Sequence, residues 1–272
     1  MPEMIDFCGK QLRVSKRVVK TCFYTTLGAS GMRKFSADDV VILDGARCSG
    51  ADHDGCEKAC AMFWREGWLR KVGDITASSS VGNEGQEQLR TGLKTRTGPT
   101  TYFCQASELL RSTENLSRVD RLATCISEVR SGNCTSAEMI QRMAIWMFWR
   151  IRRVFLGPYA RGNGKSTPAE SLNLQSGQLV QVKPMESITQ TLDETAHNRG
   201  LYFTPAMRDL CGEQHRVERR IDKIIVDGTG EMRRLRNTVY LEGSLCGCAC
   251  VAFGGCPRSE YAYWREIWLH RR

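Results

Sequence analysis

Three cysteines crowd the stretch "CSGADHDGCEKAC": Cys48, Cys56 and Cys60, with His53 between them. A fourth, Cys22, lies upstream in "KTC". Thiolates are soft ligands for zinc or an iron–sulfur cluster, and four of them complete either site. The intervening "SGADHDG" is small and turn-forming, so its backbone can approach an ion closely. Cys56 and Cys60, at i and i+4, point the same way on one helical turn. Two ligand sets compete. Cys22, Cys48, Cys56 and Cys60 form an all-thiolate set suited to a [4Fe–4S] cluster or to zinc. Cys48, His53, Cys56 and Cys60 form a zinc set with Cys22 as a bystander. The plain alternative is that these are small buried residues, since free cysteine is often buried. Four of them within 39 residues, three in a Gly/Asp loop, weigh against that, and the histidine-free set favours the cluster narrowly.

A second cysteine group stands near the end of the chain. Cys246, Cys248 and Cys250 form "CGCAC", and Cys256 follows. These four are a candidate site of their own. A core or loop role is the competing reading, because Val251, Ala252 and Phe253 come next. Cys104, in "YFCQASEL", is a possible extra ligand, as are Cys246 and Cys256. Cys125 and Cys134 fall in a helical stretch and read as ordinary thiols.

The two groups belong to an internal duplication. "FWREGWL" at residues 63–69 returns as "YWREIWL" at 263–269. "MPEMIDFCGKQLRVSKRVVK" aligns with "TPAMRDLCGEQHRVERRIDK" from Thr204. "VVILDGARC" matches "TVYLEGSLC", so Cys48 corresponds to Cys246 and Cys56 to Cys256. Cys22 corresponds to Ile225, and Cys60 to Glu260. The second copy also carries a lead-in, "GQLVQVKPMESITQTLDETAHNRGLYF", that has no counterpart before Met1. The Trp-Arg-Glu motif survives in the copy whose cysteines drifted, so it reads as a closing strand with structural tryptophans. Glu66 and Glu266, beside Arg65 and Arg265, read as a surface ladder.

Taken together, "MPEM", "KTC", the Cys48–Cys60 stretch, "YFCQASEL", "RSGN" and "CPRSEYAYWREIWL" resemble a group of bacterial cysteine-rich proteins with a duplicated Cys/Trp-Arg-Glu-x-Trp unit. The resemblance covers nearly the whole chain. It implies that Cys22, Cys48, His53, Cys56, Cys60, Cys104, Cys246 and Cys256 occupy pattern positions. It also implies a setting near biosynthetic genes for polysaccharides or small natural products, but no reaction. Thr238 departs from the pattern, which has a cysteine there, and this counts against a complete second site.

The elements that must hold these residues are mainly β. "GQLVQV" alternates, Val217, Ile221 and Ile225 share one face, and Asp227-Gly228 sits where a hairpin turn belongs. The expected fold class is α+β, mainly β, with two SH3-like small barrels joined by a helical segment. The boundaries are a first unit at 1–73, a linker at 74–98, helices at 99–157, a linker at 158–176 and a second unit at 177–272. Within the helices, Thr135 and Glu138 form a capping box. Ile140, Met143, Met147, Ile151 and Val154 form a stripe expected in the core. The opposite face carries Arg142, Trp146, Trp149 and Arg153, flanked by Arg150 and Arg152, and is expected to dock on the barrels or on an anionic surface.

Composition bounds the rest. The chain has 272 residues, 13 cysteines and a formal net charge of +9. The odd cysteine count, and a start without a signal-peptide apolar core, point to a reducing cytoplasmic setting where thiols stay free. No stretch is apolar enough to span a membrane. "GPYARGNGKST" ends like a phosphate-binding loop at Gly164-Lys165-Ser166, but Tyr159 stands where its first glycine belongs, so nucleotide binding is rejected. No Ser-His-Asp set presents itself among His53, His197, His215 and His270. The expected function is a metal–thiolate protein carrying a [4Fe–4S] cluster, acting on a small molecule or a redox partner in biosynthesis. The alternative is a zinc-stabilised module binding nucleic acid or protein, which the positive charge permits.

Overall fold

The structure, a computed structural model, describes residues 1–24, 30–74, 83–157, 160–162, 164 and 167–272. Tyr159, Lys165 and Ser166, and part of each expected linker, lie outside these. The first third of the chain contains β1 (Val14–Arg17), β2 (Thr21–Tyr24), β3 (Ser30–Phe35), β4 (Val40–Arg47) and β5 (Ala61–Arg65). The middle contains α1 (Asn83–Gly92), β6 (Thr113–Asn115), α2 (Arg118–Arg130) and α3 (Ser136–Leu156). The last third contains β7 (Leu179–Val182), α4 (Met185–Thr189), β8 (His197–Asn198), β9 (Leu201–Tyr202) and α5 (Pro205–Arg208). It continues with β10 (Gln214–Arg220), β11 (Lys223–Ile225), β12 (Met232–Arg234), β13 (Thr238–Leu241), β14 (Trp264–Arg265) and β15 (Leu269–Arg271).

Helices and strands are mixed in nearly equal shares, so the chain is α+β but not mainly β as expected. The expected small barrels are not what the strands build. Among the described residues the sheets stay open: β1-β4-β5, β14-β13-β10-β7-β15, β2-β3-β6, β11-β12 and β8-β9. Each hairpin that would have closed a barrel leaves its sheet instead. β3 takes β6 as its second neighbour, with Phe35 opposite Thr113.

Equivalent strands pair with equivalent registers. Val14 faces Leu43, with a bulge before Lys16, and Val217 faces Leu241, with a bulge before Arg219. Val41 faces Trp64, and Val239 faces Trp264. Cys22 faces Met32, and Ile225 faces Met232. The lead-in makes the difference between the copies. β7 adds to β10 and pairs with β15, extending the second sheet to five strands.

Burial follows from that difference. Val180, Val182, Ile188, Leu192, Phe203, Val217, Trp264 and Trp268 form a core without solvent contact. Trp268 donates its indole N–H to Thr191 Oγ1 at 3.0 Å and meets Phe203 edge-on. Trp68, its counterpart, is 62% exposed. Glu266 is fully buried and accepts from the backbone N–H groups of Leu172, Asn173 and Leu174 at 2.7–3.1 Å and from Arg220. Glu66 meets only the half-exposed Arg17 among the described side chains. The echo is therefore not a matched surface ladder. Nor is it a continuous strand, since Glu66–Trp68 and Glu266–Trp268 are single 3-10 turns.

The middle segment also differs from its expected form. Residues 104–112 are turns leading into β6, and α1 falls inside the stretch read as linker. The Thr135–Glu138 box caps α3, with Glu138 N–H on Thr135 Oγ1 at 3.2 Å and Thr135 N–H on Glu138 Oε2 at 2.8 Å. The α3 stripe is reversed. Ile140, Met147, Ile151 and Val154 face solvent, and only Met143 of that stripe packs inward. Met139 and Trp146 do the packing, and Trp146 meets the Phe253 ring edge-on at 5.4 Å. Trp149 carries Arg208 on its face at 4.9 Å. The side chain of Arg153 lies outside what is described. No helix among the described residues is long and apolar enough to cross a membrane.

Candidate metal centre

The site is assembled from both copies. Cys22 projects from β2 into full burial and meets Cys256 sulfur to sulfur at 3.4 Å. Cys248 completes a group whose three sulfur atoms all lie within 4.8 Å of one another. Among the described residues this is the one such group of three or more His, Cys, Asp or Glu ligand atoms. Cys246 interacts with all three thiols, whereas Cys250 reaches Cys248 and Cys256.

Local sequence explains how four cysteines of one loop can converge. Cys248 stands at the N-cap of a short 3-10 helix, Ala249–Phe253, and Val251 N–H closes its first turn on Cys248 O at 3.0 Å. Gly254 and Gly255 then take φ of +97° and +110°, which glycine adopts without a side-chain clash. That reversal turns the chain back, with Gly255 N–H on Cys250 O at 3.2 Å, and delivers Cys256 beside Cys250. A Cβ on Gly254 would lie 2.9 Å from the Glu128 side chain, so the position also lets α2 close over the loop. Met32, Leu116, Met139 and Phe253 exclude water from the group.

The electrostatics suit a cation. Hydrogen bonds from Cys22, Cys246, Cys248 and Cys250 hold Cys256 well below the usual thiol range. Cys22 and Cys248 are pushed well above it, Cys22 first by its hydrogen bond with Cys246 and Cys248 first by its hydrogen bond with Cys22. Within the group, Cys256 is therefore the thiol most ready to give up its proton. A divalent ion would displace the remaining protons, because coordinated thiols ionise. Arg258 donates to the Cys22 carbonyl at 3.2 Å and, with Lys58, Asp227 and Glu260, forms a buried ionic group beside the site.

The four ligands expected together are not brought together. Cys22 stands with Cys248 and Cys256, while Cys48, Cys56 and Cys60 line a separate small cavity with Cys104. The cause is a crosswise exchange of hairpins. The β2–β3 hairpin of the first copy packs on the cysteine loop of the second. The β11–β12 hairpin of the second copy packs on the cysteine loop of the first, where Ile225 N–H meets Cys56 Sγ at 3.3 Å and Glu57 accepts from Asp222 and Lys223 N–H. Ile225 therefore occupies, at the first loop, the place that its counterpart Cys22 occupies at the second.

His53 is not free to ligate. Its Nδ1 is paired with the buried Glu3, and its Nε2 faces the Phe103 carbonyl at 3.0 Å. Burial opposes its charge, but the hydrogen bonds to Glu3 and to Phe103 O raise its pKa above the ordinary histidine value. With both ring nitrogens engaged, the side chain pins the loop. Of these thiols Cys248 is the hardest to single out from sequence, because "CGCAC" reads equally as core. The signal was the glycine pair before Cys256.

No protein-family model, curated protein or solved structure matches the chain.

Proposed function

We propose that this is a metal–thiolate protein whose Cys22–Cys246–Cys248–Cys256 centre holds a single zinc ion. The observation that carries this is the mutual approach of the Cys22, Cys248 and Cys256 sulfurs within 4.8 Å. A tetrahedral ion with metal–sulfur bonds of about 2.3 Å sets its sulfurs about 3.8 Å apart. The three thiols are close to that spacing, and a four-iron cube holds its thiolates wider apart. Four thiolates without an open position, under a cover of Met and Phe, correspond to a structural rather than a catalytic zinc site. Its role is to fasten the first hairpin to the last cysteine loop, so that the two copies fold as one. On this reading the tight centre supplies no redox chemistry, and any role in a biosynthetic pathway is carried elsewhere on the molecule.

The test is metal analysis of protein purified without added metal, alongside Cys22→Ala and Cys248→Ala. One zinc per chain, lost in both variants, supports the reading. Zinc retained at full stoichiometry by Cys22→Ala places the ion elsewhere and overturns it.

A further inference from the structure

The first cysteine loop has its own architecture, which the zinc centre does not use. Gly50 takes φ of +72°, and a Cβ there would lie 1.9 Å from the Cys56 carbonyl oxygen, so the chain crosses itself at a point only glycine allows. Gly55 N–H returns to Gly50 O at 2.9 Å, and Cys48 N–H reaches Cys60 O at 2.8 Å. The loop is thereby closed into a ring that turns Cys48, Cys56 and Cys60 toward one cavity of about 30 Å³. Cys104 enters that cavity from the other side, on a turn fixed by Ser107. The remaining wall is largely Met1, Ala59, Met62, Ala106 and Ile225.

Four thiols around an apolar cavity is an unusual inventory for a core, which fills such space with side chains. The thiols do not collapse on one another either. Among the described residues, no three of these four bring their sulfurs within 4.8 Å of one another. They are set back around a space, unlike the Cys22 group, so a single tetrahedral ion would leave most of them out of reach. A polynuclear cluster takes four cysteines and holds them apart, with its own iron and sulfide atoms between them. Cys56 already has N–H contacts of the kind such a cluster uses. Ile225 N–H points at Cys56 Sγ at 3.3 Å, and the Lys58 N–H also favours the Cys56 thiolate.

We propose that Cys48, Cys56, Cys60 and Cys104 bind a [4Fe–4S] cluster. The site lies under a larger groove of about 560 Å³, which shares Met1, Cys104 and Gln105 with the cavity and is walled by Phe63, Trp64 and Trp68. The cluster therefore sits one side chain behind a surface that can receive a small molecule or a partner. Trp68 stands exposed in this groove, whereas residues 188–203 cover its counterpart Trp268. The proposal does not rest on the zinc reading, and iron and zinc are counted separately.

The test is anaerobic reconstitution of the full chain with ferrous iron and sulfide, followed by removal of unbound iron. Wild-type protein should gain a broad absorption near 400 nm and about four irons and four sulfides per chain. Cys104→Ala and Cys60→Ala should each lose most of that absorption while keeping the circular dichroism spectrum and unfolding midpoint of the unreconstituted wild type, which report an intact fold. Cys125→Ser, at a thiol outside both groups, should change neither metal. Failure of the wild type to take up sulfide overturns the proposal. So does a cluster that survives both Cys104→Ala and Cys60→Ala, or that is lost in Cys22→Ala and kept in Cys104→Ala.

Discussion

Cys22 and Cys256 are 234 positions apart in sequence and 3.4 Å apart at their sulfur atoms. One lies on a hairpin of the first copy, the other at the end of the second copy's loop. A bond network through these atoms closes almost the whole chain on itself. Chelation should therefore do more than lower stability. Unfolding followed by calorimetry should change from one transition in the zinc-loaded protein to two in the chelated protein, as the copies uncouple. A single, merely shifted transition would show that the centre does not join them.

Two glycines with the same backbone conformation separate conformational cost from steric cost. Gly45 and Gly50 both have φ of +72°, but a Cβ at Gly45 meets nothing within 4 Å. Gly45→Ala should cost about 1–2 kcal/mol, the penalty of a left-handed alanine. Gly50→Ala carries the same penalty plus a collision with the Cys56 carbonyl, so denaturant midpoints should place it well below Gly45→Ala.

Asp227 is the hub of the buried ionic group, held by Arg258 at 2.7 Å and by Lys58. Asp227→Ala leaves two buried cations poorly paired and should cost about 3–5 kcal/mol at neutral pH. Burial alone would raise the Asp227 pKa, but Arg258 and Lys58 draw it well below its ordinary value of 3.8. A lowered carboxylate stabilises the fold above that ordinary value and loses its contribution as pH falls toward the folded one. Stability measured from pH 5 downward should fall less steeply in Asp227→Asn than in the wild type.

The duplicated tryptophans should differ in energetic weight. Trp268→Ala removes a fully buried ring and should cost about 3–5 kcal/mol. Trp68→Ala, at a position 62% exposed, should cost under about 1 kcal/mol. Equal losses would contradict the assignment of the lead-in as the second copy's cover.

Much of this was legible in the chain, and the gaps have physical causes. The Trp-Arg-Glu echo and the paired cysteines marked equivalent strands, and Val14–Leu43 and Val217–Leu241 pair alike. The extra lead-in marked where the copies differ, but the matching motifs gave no sign that Trp268 is buried and Trp68 exposed. The crosswise exchange was not legible, because Cys22 and Ile225 have the same local sequence context whichever loop their hairpins meet. Periodicity failed on α3 for a related reason. Both of its faces are rich in large apolar side chains, and the packing partner Phe253 comes from a loop more than 100 residues downstream. His53 looked like a ligand by type and spacing, and only the approach of Glu3 and Phe103 assigns its two nitrogens.

Zinc-edge X-ray absorption on the purified protein tests the central claim most directly. Four sulfur scatterers at about 2.3 Å and no nitrogen or oxygen in the first shell are predicted. A shell containing nitrogen or oxygen, or protein that holds no zinc, would contradict it.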